Sequence, residues 1–512
     1  MEKIRWFSAP SALSTSGAAG VLALVVACGS STNHGTGSGD ASANGGSGAS
    51  SSGGASGTGA STSSSGGAGA SENTGGVTGS GGSLGGGTGG GTSNGGAGGS
   101  SNGGAGGSSS TGGATSDGGI ATRRPFPDTT SSISILTDQL PNLTSAQQHF
   151  VVTHYVGTEK QTVAQSEPLR ALSPNFLVLH YHLSMWQSAP AVDFIIDGKT
   201  WGNDYPTVTT HEDWFLHDAS NQRLASTADG KLLMNLSNAD FAAYWTSSLE
   251  SQVDAGDYDG IFFDSASPAL LQAEVGAQDP PLATTGAKDN ALPELGNRTF
   301  IDAWQTWMSA LDAALAKKGI PLIPNTSAFV TGWDNTNYGL THGAFVEGFA
   351  SRTFAASDWK ASTNELLALA AAHKILILQN YLSAATDVAT RLYYLGNYLL
   401  VKSDRSYLEY FAAGPLEWYP EWSLALGAPT TTGATVDDLT SGGVYRRDFE
   451  HGAVLVNPTG ATVTVSLGAG YQHVVPTGGG AVDDAGDEPG SLTMTAVTSL
   501  DVAANSAEIV LK

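Results

Sequence analysis

Beyond about residue 145, short apolar runs alternate with longer segments whose apolar residues recur every three to four positions. Runs of four to eight residues predict strands and the longer segments helices; their alternation is the pattern of βα units around a parallel sheet. The apolar runs 150–156, 176–182, 214–217, 260–264, 321–325, 343–348, 374–381 and 406–411 predict eight strands. Helices are expected over 240–253, with Ser237 or Asn238 as cap, and over 298–318, 364–373 and 385–402. Eight such units predict an α/β fold, a (β/α)8 TIM barrel spanning 121–425. A polar insert at 265–296 follows the fourth strand, at the rim where inserts shape a binding cleft.

After about residue 425 the period changes. Runs at 444–449, 453–458, 462–467 and 507–511 are short and separated by Gly, Asn and Pro. They predict a small C-terminal all-β sandwich domain over 426–512, which is read as structural.

Composition separates the first 120 residues from this folded part. Lys3 and Arg5 precede an apolar run from Ala18 to Ala27, the layout of an export signal over 1–28. The run is shorter than the roughly 20 residues a membrane-spanning helix needs. It ends Val25-Val26-Ala27-Cys28, which resembles the bacterial lipobox, so Cys28 is expected to be lipidated. Cys28 is the only cysteine, which leaves no partner for a disulfide. Residues 29–120 hold 37 of the 68 glycines and no Lys or Arg. With so little to bury they predict a disordered Gly/Ser-rich linker, reaching roughly 55 Å as a random coil. Gly81-Gly82-Ser83-Leu84-Gly85 matches a serine-hydrolase elbow but lacks the flanking strand and helix that elbow requires.

Charge narrows the partners. After residue 120 there are 42 acidic against 20 basic side chains. That excludes a general nucleic-acid binder, which would present a basic face. No glycine-rich stretch has the setting of a nucleotide site, so no cofactor is expected.

Two apolar runs end in carboxylates: Asp259-Gly260-Ile261-Phe262-Phe263-Asp264 and Gly343-Ala344-Phe345-Val346-Glu347-Gly348. Residues i and i+2 of a strand share a face, so Asp264 continues the face of Phe262, and Glu347 that of Phe345. Asn325 follows Ile323 in the same way, and Gln379 and Tyr381 follow Ile377. This recurrence predicts one polar site at the C-terminal rim of the barrel, where barrel enzymes do chemistry. Two carboxyls on alternating strands are what glycosidic cleavage needs, one to give a proton and one to attack or to activate water. Asp257 and Asp259 precede their strand and belong to the opposite rim. Tyr155, Trp186, Trp201 and Trp333 are candidate platforms for sugar rings, whereas Trp304 and Trp307 fall mid-helix and read as core.

Several of these pieces, in order, resemble a known group. They are Trp214-Phe215-Leu216-His217-Asp218, Asn235-Leu236-Ser237-Asn238 with Tyr244-Trp245, and Tyr258-Asp259-Gly260-Ile261-Phe262-Phe263-Asp264. Downstream come Pro324-Asn325, Glu347-Gly348-Phe349, Tyr445-Arg446-Arg447-Asp448-Phe449 and Val454-Leu455-Val456-Asn457-Pro458. The order resembles the bacterial glycosyl hydrolase-like family 15 and, more distantly, endo-α-1,4-polygalactosaminidase-type barrels. The resemblance covers roughly 145–460. It implies Asp264 and Glu347 as the catalytic pair; beside it, Asp218, Asn325 and Tyr381 are candidate contacts to a carbohydrate substrate. Asn235 stands where the resemblance leads one to expect an aspartate, and the 265–296 insert is long.

Two other readings stay open at this point. His180 and His182 share a strand face and could start a metal site of the amidohydrolase type, with His154, His217 or Glu409. As rim residues they would instead bind sugar hydroxyls, and no metal is expected. A surface lipoprotein that holds a glycan without cleaving it is the second alternative. The expected protein is a monomeric glycoside hydrolase, anchored to the outer membrane through Cys28.

Overall fold

The computed structural model describes residues 123–188, 195–196, 199–200, 204–218, 220–226, 230–268, 292–328, 336–412 and 416–512. Cys28, the export signal, the Gly/Ser-rich stretch, Trp201, Trp333 and residues 269–291 of the insert lie outside them.

Eight parallel strands form the barrel: β1 (Ile135–Thr137), β2 (Tyr155–Thr158), β3 (Leu177–Leu183), β4 (Gly260–Asp264), β5 (Leu322–Pro324), β6 (Gly343–Glu347), β7 (Ile375–Tyr381) and β8 (Ser406–Phe411). Their order is β6-β7-β8-β1-β2-β3-β4-β5, and a parallel bridge from Asn325, just past β5, to Phe345 of β6 closes the ring. Around it lie α1 (Ser145–His154), α2 (Val163–Leu172), α3 (Ala239–Ala255), α4 (Phe300–Ala316), α5 (Ala356–Ala371) and α6 (Val388–Val401). Between β5 and β6 the described residues hold only a 3-10 turn, Tyr338–Leu340.

Alternation sorts the side chains into two cores. Leu136, Leu179, Tyr181, Phe262, Ile323, Phe345, Ile377 and Tyr407 meet inside the barrel. Val178, Ile261, Phe263, Val346 and Leu378 point outward from the same strands and pack with helix residues such as Trp245, Trp304 and Trp307. The N-terminal rim is fixed by Asp259, which accepts from the Val178 N–H at 2.9 Å and from Arg170 at 2.7 Å.

Two predicted strands are corrected. The run 150–156 is mostly helix: Thr144 and Gln147 form a capping box that starts α1, and the extended segment begins only at Tyr155. The run 214–217 is no barrel strand. Glu212–Trp214 is a 3-10 turn, and Phe215 and His217 make single antiparallel bridges to Met234 and Arg223, within an excursion between β3 and α3. The barrel keeps eight strands because β1, three residues long, stands in for it.

The C-terminal part is antiparallel, with β9 (Thr440–Ser441), β10 (Val444–Phe449), β11 (Gly452–Asn457), β12 (Val463–Thr477), β13 (Ser491–Val502) and β14 (Ser506–Leu511) in the order β9-β10-β11-β14-β12-β13. A bulge between Ser466 and Tyr471 breaks the β12–β13 ladder, and Val465 and Val502 meet Val444 and Leu455 in a small core. The sheet's other face lies on α6. A Cβ added at Gly396 would sit 2.4 Å from the Ala507 Cβ, so only glycine permits that approach.

Candidate active site

Inside the barrel the Phe262 ring lies 4.5 Å from that of Phe345 and 5.5 Å from that of Tyr181. The next inward positions along the same strands are therefore the first that are free to be polar: Asp264 on β4, Asn325 beyond β5 and Glu347 on β6. The Asn325 Nδ2 donates to Asp264 Oδ1 at 2.9 Å and to Glu347 Oε2 at 2.8 Å. Those two oxygens are thus at most about 5.7 Å apart, the two contacts laid end to end. The Ser327 N–H donates to Asn325 Oδ1 at 3.0 Å, which turns the amide's NH2 toward the acids. Each carboxylate has a phenol on its other oxygen. The Tyr181 hydroxyl donates to Asp264 Oδ2 at 2.5 Å, and the Tyr381 hydroxyl to Glu347 Oε1 at 2.9 Å. The chain bends sharply past these groups, with Ser265 at φ 54° and Ser327 at φ 56°, left-handed conformations that are costly away from glycine.

The two acids are shifted in opposite directions. Burial would raise Asp264, but the charges of Lys160 and Lys231 and the bonds from Tyr181 and Asn325 outweigh it and hold the carboxyl below its ordinary range. Glu347 goes the other way. Burial raises it, the Asp264 charge adds to that, and Asn325, Lys160 and Tyr381 offset only part. Lys160 lies just past β2, with Nζ 2.6 Å from Asp138 Oδ1 and 5.2 Å from the ring centroids of both Tyr181 and Phe262. On β8, burial and then the Asp138 charge push Glu409 up to about 8. Thr137 donates to Glu409, as do the Asp138 N–H at 2.7 Å and Gln379 at 3.3 Å. Glu159 is fully buried, its carboxyl has no hydrogen-bond partner among the described residues, and burial raises it well above the usual range.

The sequence matches the model of the family described as hypothetical glycosyl hydrolase family 15 over residues 170–453, more than half of its length. The chain belongs to that family. No curated protein matches it in sequence. Among solved structures it is similar to a noncanonic maltogenic alpha-amylase, AmyB, from Thermotoga neapolitana, at 10% identity over 74% of this chain and 98% of that one, with a TM-score of 0.35. It is similar also to a MutB mutant in complex with the substrate sucrose, at 9% identity over 76% and 100% of the two chains, with a TM-score of 0.42. A third is a dextranase from Flavobacterium johnsoniae complexed with glucose, at 8% identity over 76% and 52%, with a TM-score of 0.41. Likenesses at this level carry no inference about substrate.

In this family 15 glycosyl hydrolase, four of the sequence-predicted residues come together: Asp264, Asn325, Glu347 and Tyr381. Five others lie elsewhere. Tyr155 faces outward, its hydroxyl on the Glu417 carbonyl and its ring against Trp418. His180 and His182 also face outward, because it is Tyr181 between them that points into the barrel. His180 Nε2 is 2.8 Å from Gln252, and burial pushes this histidine down to about 3. His182 Nε2 is 2.7 Å from Asp204, so the two imidazoles serve the contact with α3 and neither a sugar nor a metal at the mouth. Trp186 is 2% exposed, packed in the outer core with no face left for a ligand. Asp218 closes a turn by accepting from the N–H groups of Ser220 and Gln222 at 2.8 and 2.9 Å. Tyr181 and Lys160 are neighbours of the two acids that the sequence reading missed, and Glu409 was considered there only as a candidate metal ligand. Once β2 is placed at Tyr155–Thr158, Lys160 becomes visible as a cation just past a strand end.

Proposed function

We propose that this enzyme hydrolyses the glycosidic bonds of a poly- or oligosaccharide with retention, Asp264 acting as nucleophile and Glu347 as general acid/base. The observation that supports this is the amide of Asn325 held between the two carboxylates. It keeps their facing oxygens within about 5.7 Å, a bound compatible with direct attack, at about 5–5.5 Å, and short of the roughly 6.5–9.5 Å that makes room for a water. In the first half-reaction Glu347 gives its proton to the glycosidic oxygen while an Asp264 oxygen bonds to the anomeric carbon, and the leaving alcohol departs. In the second, Glu347 takes a proton from water, the hydroxide oxygen bonds to that carbon, and the bond to Asp264 breaks. Opposed protonation of the two acids is the starting condition of this cycle.

The test is hydrolysis of a glycan panel by the wild type, Asp264→Asn and Glu347→Gln. Loss of about 10²–10⁴-fold on removing the general acid is expected. Wild-type binding without cleavage would identify a glycan-holding protein instead, and equal activity in all three would end the proposal.

We further propose that the protein works as a monomer tethered to the outer membrane by lipid on Cys28. The Val25-Val26-Ala27-Cys28 sequence supports the anchor. Cys28→Ser is expected to abolish incorporation of labelled palmitate and to release the protein from the membrane fraction.

A further inference from the structure

Tyr181 is the donor on the nucleophile that no sequence pattern assigned. Its ring sits in the inner core 5.5 Å from that of Phe262, with the Lys160 ammonium 5.2 Å from both ring centroids. Its hydroxyl is 2.5 Å from Asp264 Oδ2, while Oδ1 shares the Asn325 amide with Glu347. The two oxygens of Asp264 are therefore inequivalent. Oδ1 lies on the side of the acid/base and Oδ2 is turned away toward β3. Within the retaining reading above, on which this inference rests, Oδ1 is the oxygen placed to bond to the anomeric carbon.

We propose that Tyr181 is a positioning residue for the second half-reaction, holding Asp264 Oδ2 and stabilising the negative charge that returns to the carboxylate as the glycosyl bond breaks. The charges balance as follows. When Oδ1 bonds to carbon, the carboxylate becomes a neutral ester and the Tyr181 hydrogen bond loses its charged acceptor. When water's oxygen displaces Asp264, the electron pair of the C–Oδ1 bond returns to the carboxylate and the hydrogen bond regains full strength. A hydrogen bond to an ionised acceptor is roughly twice as strong as one to a neutral group, so Tyr181 lowers the barrier to release and gives no such help to attack, in which that bond weakens. The Lys160 cation over the ring withdraws electron density from it and makes the phenol a better donor.

The experiment is Tyr181→Phe, which keeps the ring and its packing, with thermal unfolding to confirm that it does. The probes are 4-nitrophenyl glycosides of neutral and amino hexoses in both anomers, whose good leaving group makes release the slow step. Expected are a kcat lower by about 10- to 100-fold, a KM that falls with it, a burst of 4-nitrophenol, and an acidic limb of the pH profile moved upward. A pH profile, burst and kcat to KM ratio all like wild type would overturn the inference while leaving the retaining reading intact. Should the wild type cleave none of the glycosides, the retaining reading fails on its own account. The Asp264 carboxyl, titrated by carbon-13 NMR and assigned with Asp264→Asn, then decides whether Tyr181 controls it. A raised titration midpoint in Tyr181→Phe supports the positioning role, and an unchanged one overturns it.

Discussion

For Asp264 and Glu347, the proposed retaining mechanism makes protonation the condition of activity. It needs Asp264 ionised, and that carboxyl is held down; it needs Glu347 to carry a proton, and that carboxyl is held up. A bell-shaped dependence of kcat/KM is expected, with the acidic limb below the ordinary aspartate range and the alkaline limb above the ordinary glutamate range; a pH series on wild type measures it. For stability the signs are opposite. The contribution of Asp264 is present above its unfolded pKa and is lost as pH falls through the folded value. That of Glu347 is complete below its unfolded pKa and is lost as pH rises through the folded one. The pair itself was legible in the sequence, because a carboxylate two positions beyond an apolar inward residue leaves few other places to go. The histidines were not legible. Along β3 both faces are buried, so polarity does not tell inside from outside; the partner of His180 is Gln252 on α3 and that of His182 is Asp204, in the excursion between β3 and α3.

At the scale of the element, β4 and β6 work as matched supports. Phe262 and Phe345, in contact at 4.5 Å, set the height of the acids above them. Phe345→Ala is expected to cost about 3–5 kcal/mol, through lost burial and the cavity left behind, as read by chemical denaturation. These strands were found because each is a continuous apolar run ending in a polar residue. β1 was not, since Ile135–Thr137 is too short to show a period, and 150–156 misled because an amphipathic helix and a buried strand look alike over seven residues. The cap supplied by Thr144 and Gln147 was the deciding signal, and it lies in the residues before the run. The helix after Asn238 shows the rule at work: Asn238 accepts from the N–H groups of Asp240 and Phe241, as a cap residue there should.

At the scale of the whole molecule, a buried arginine on α6 holds an ion pair on the barrel side and reaches across to the C-terminal part. Arg391 of α6 meets Glu421 at 2.8 and 3.0 Å, both side chains wholly buried, and also donates to the Gly478 carbonyl beyond β12 at 2.7 Å. The Tyr410 hydroxyl of β8 completes the set on Glu421 at 2.9 Å. Removing one partner leaves the other charge buried and alone, so Glu421→Gln is expected to destabilise the protein by about 3–5 kcal/mol, with a single unfolding transition, in thermal or chemical melts. The β-rich character of the C-terminal part was legible from its turns and short runs. That it would weld to α6 was not, because the contact depends on one glycine, Gly396, meeting Ala507 across 111 positions of sequence.

That weld has a consequence for biosynthesis. The last helix of the barrel emerges from the ribosome more than a hundred residues before the strand that covers it. Until Ala507 arrives, the glycine-notched side of α6 stays wet. A nascent chain halted near residue 425 should therefore remain prey to proteases. The fold closes only when Ser506–Leu511 has been made.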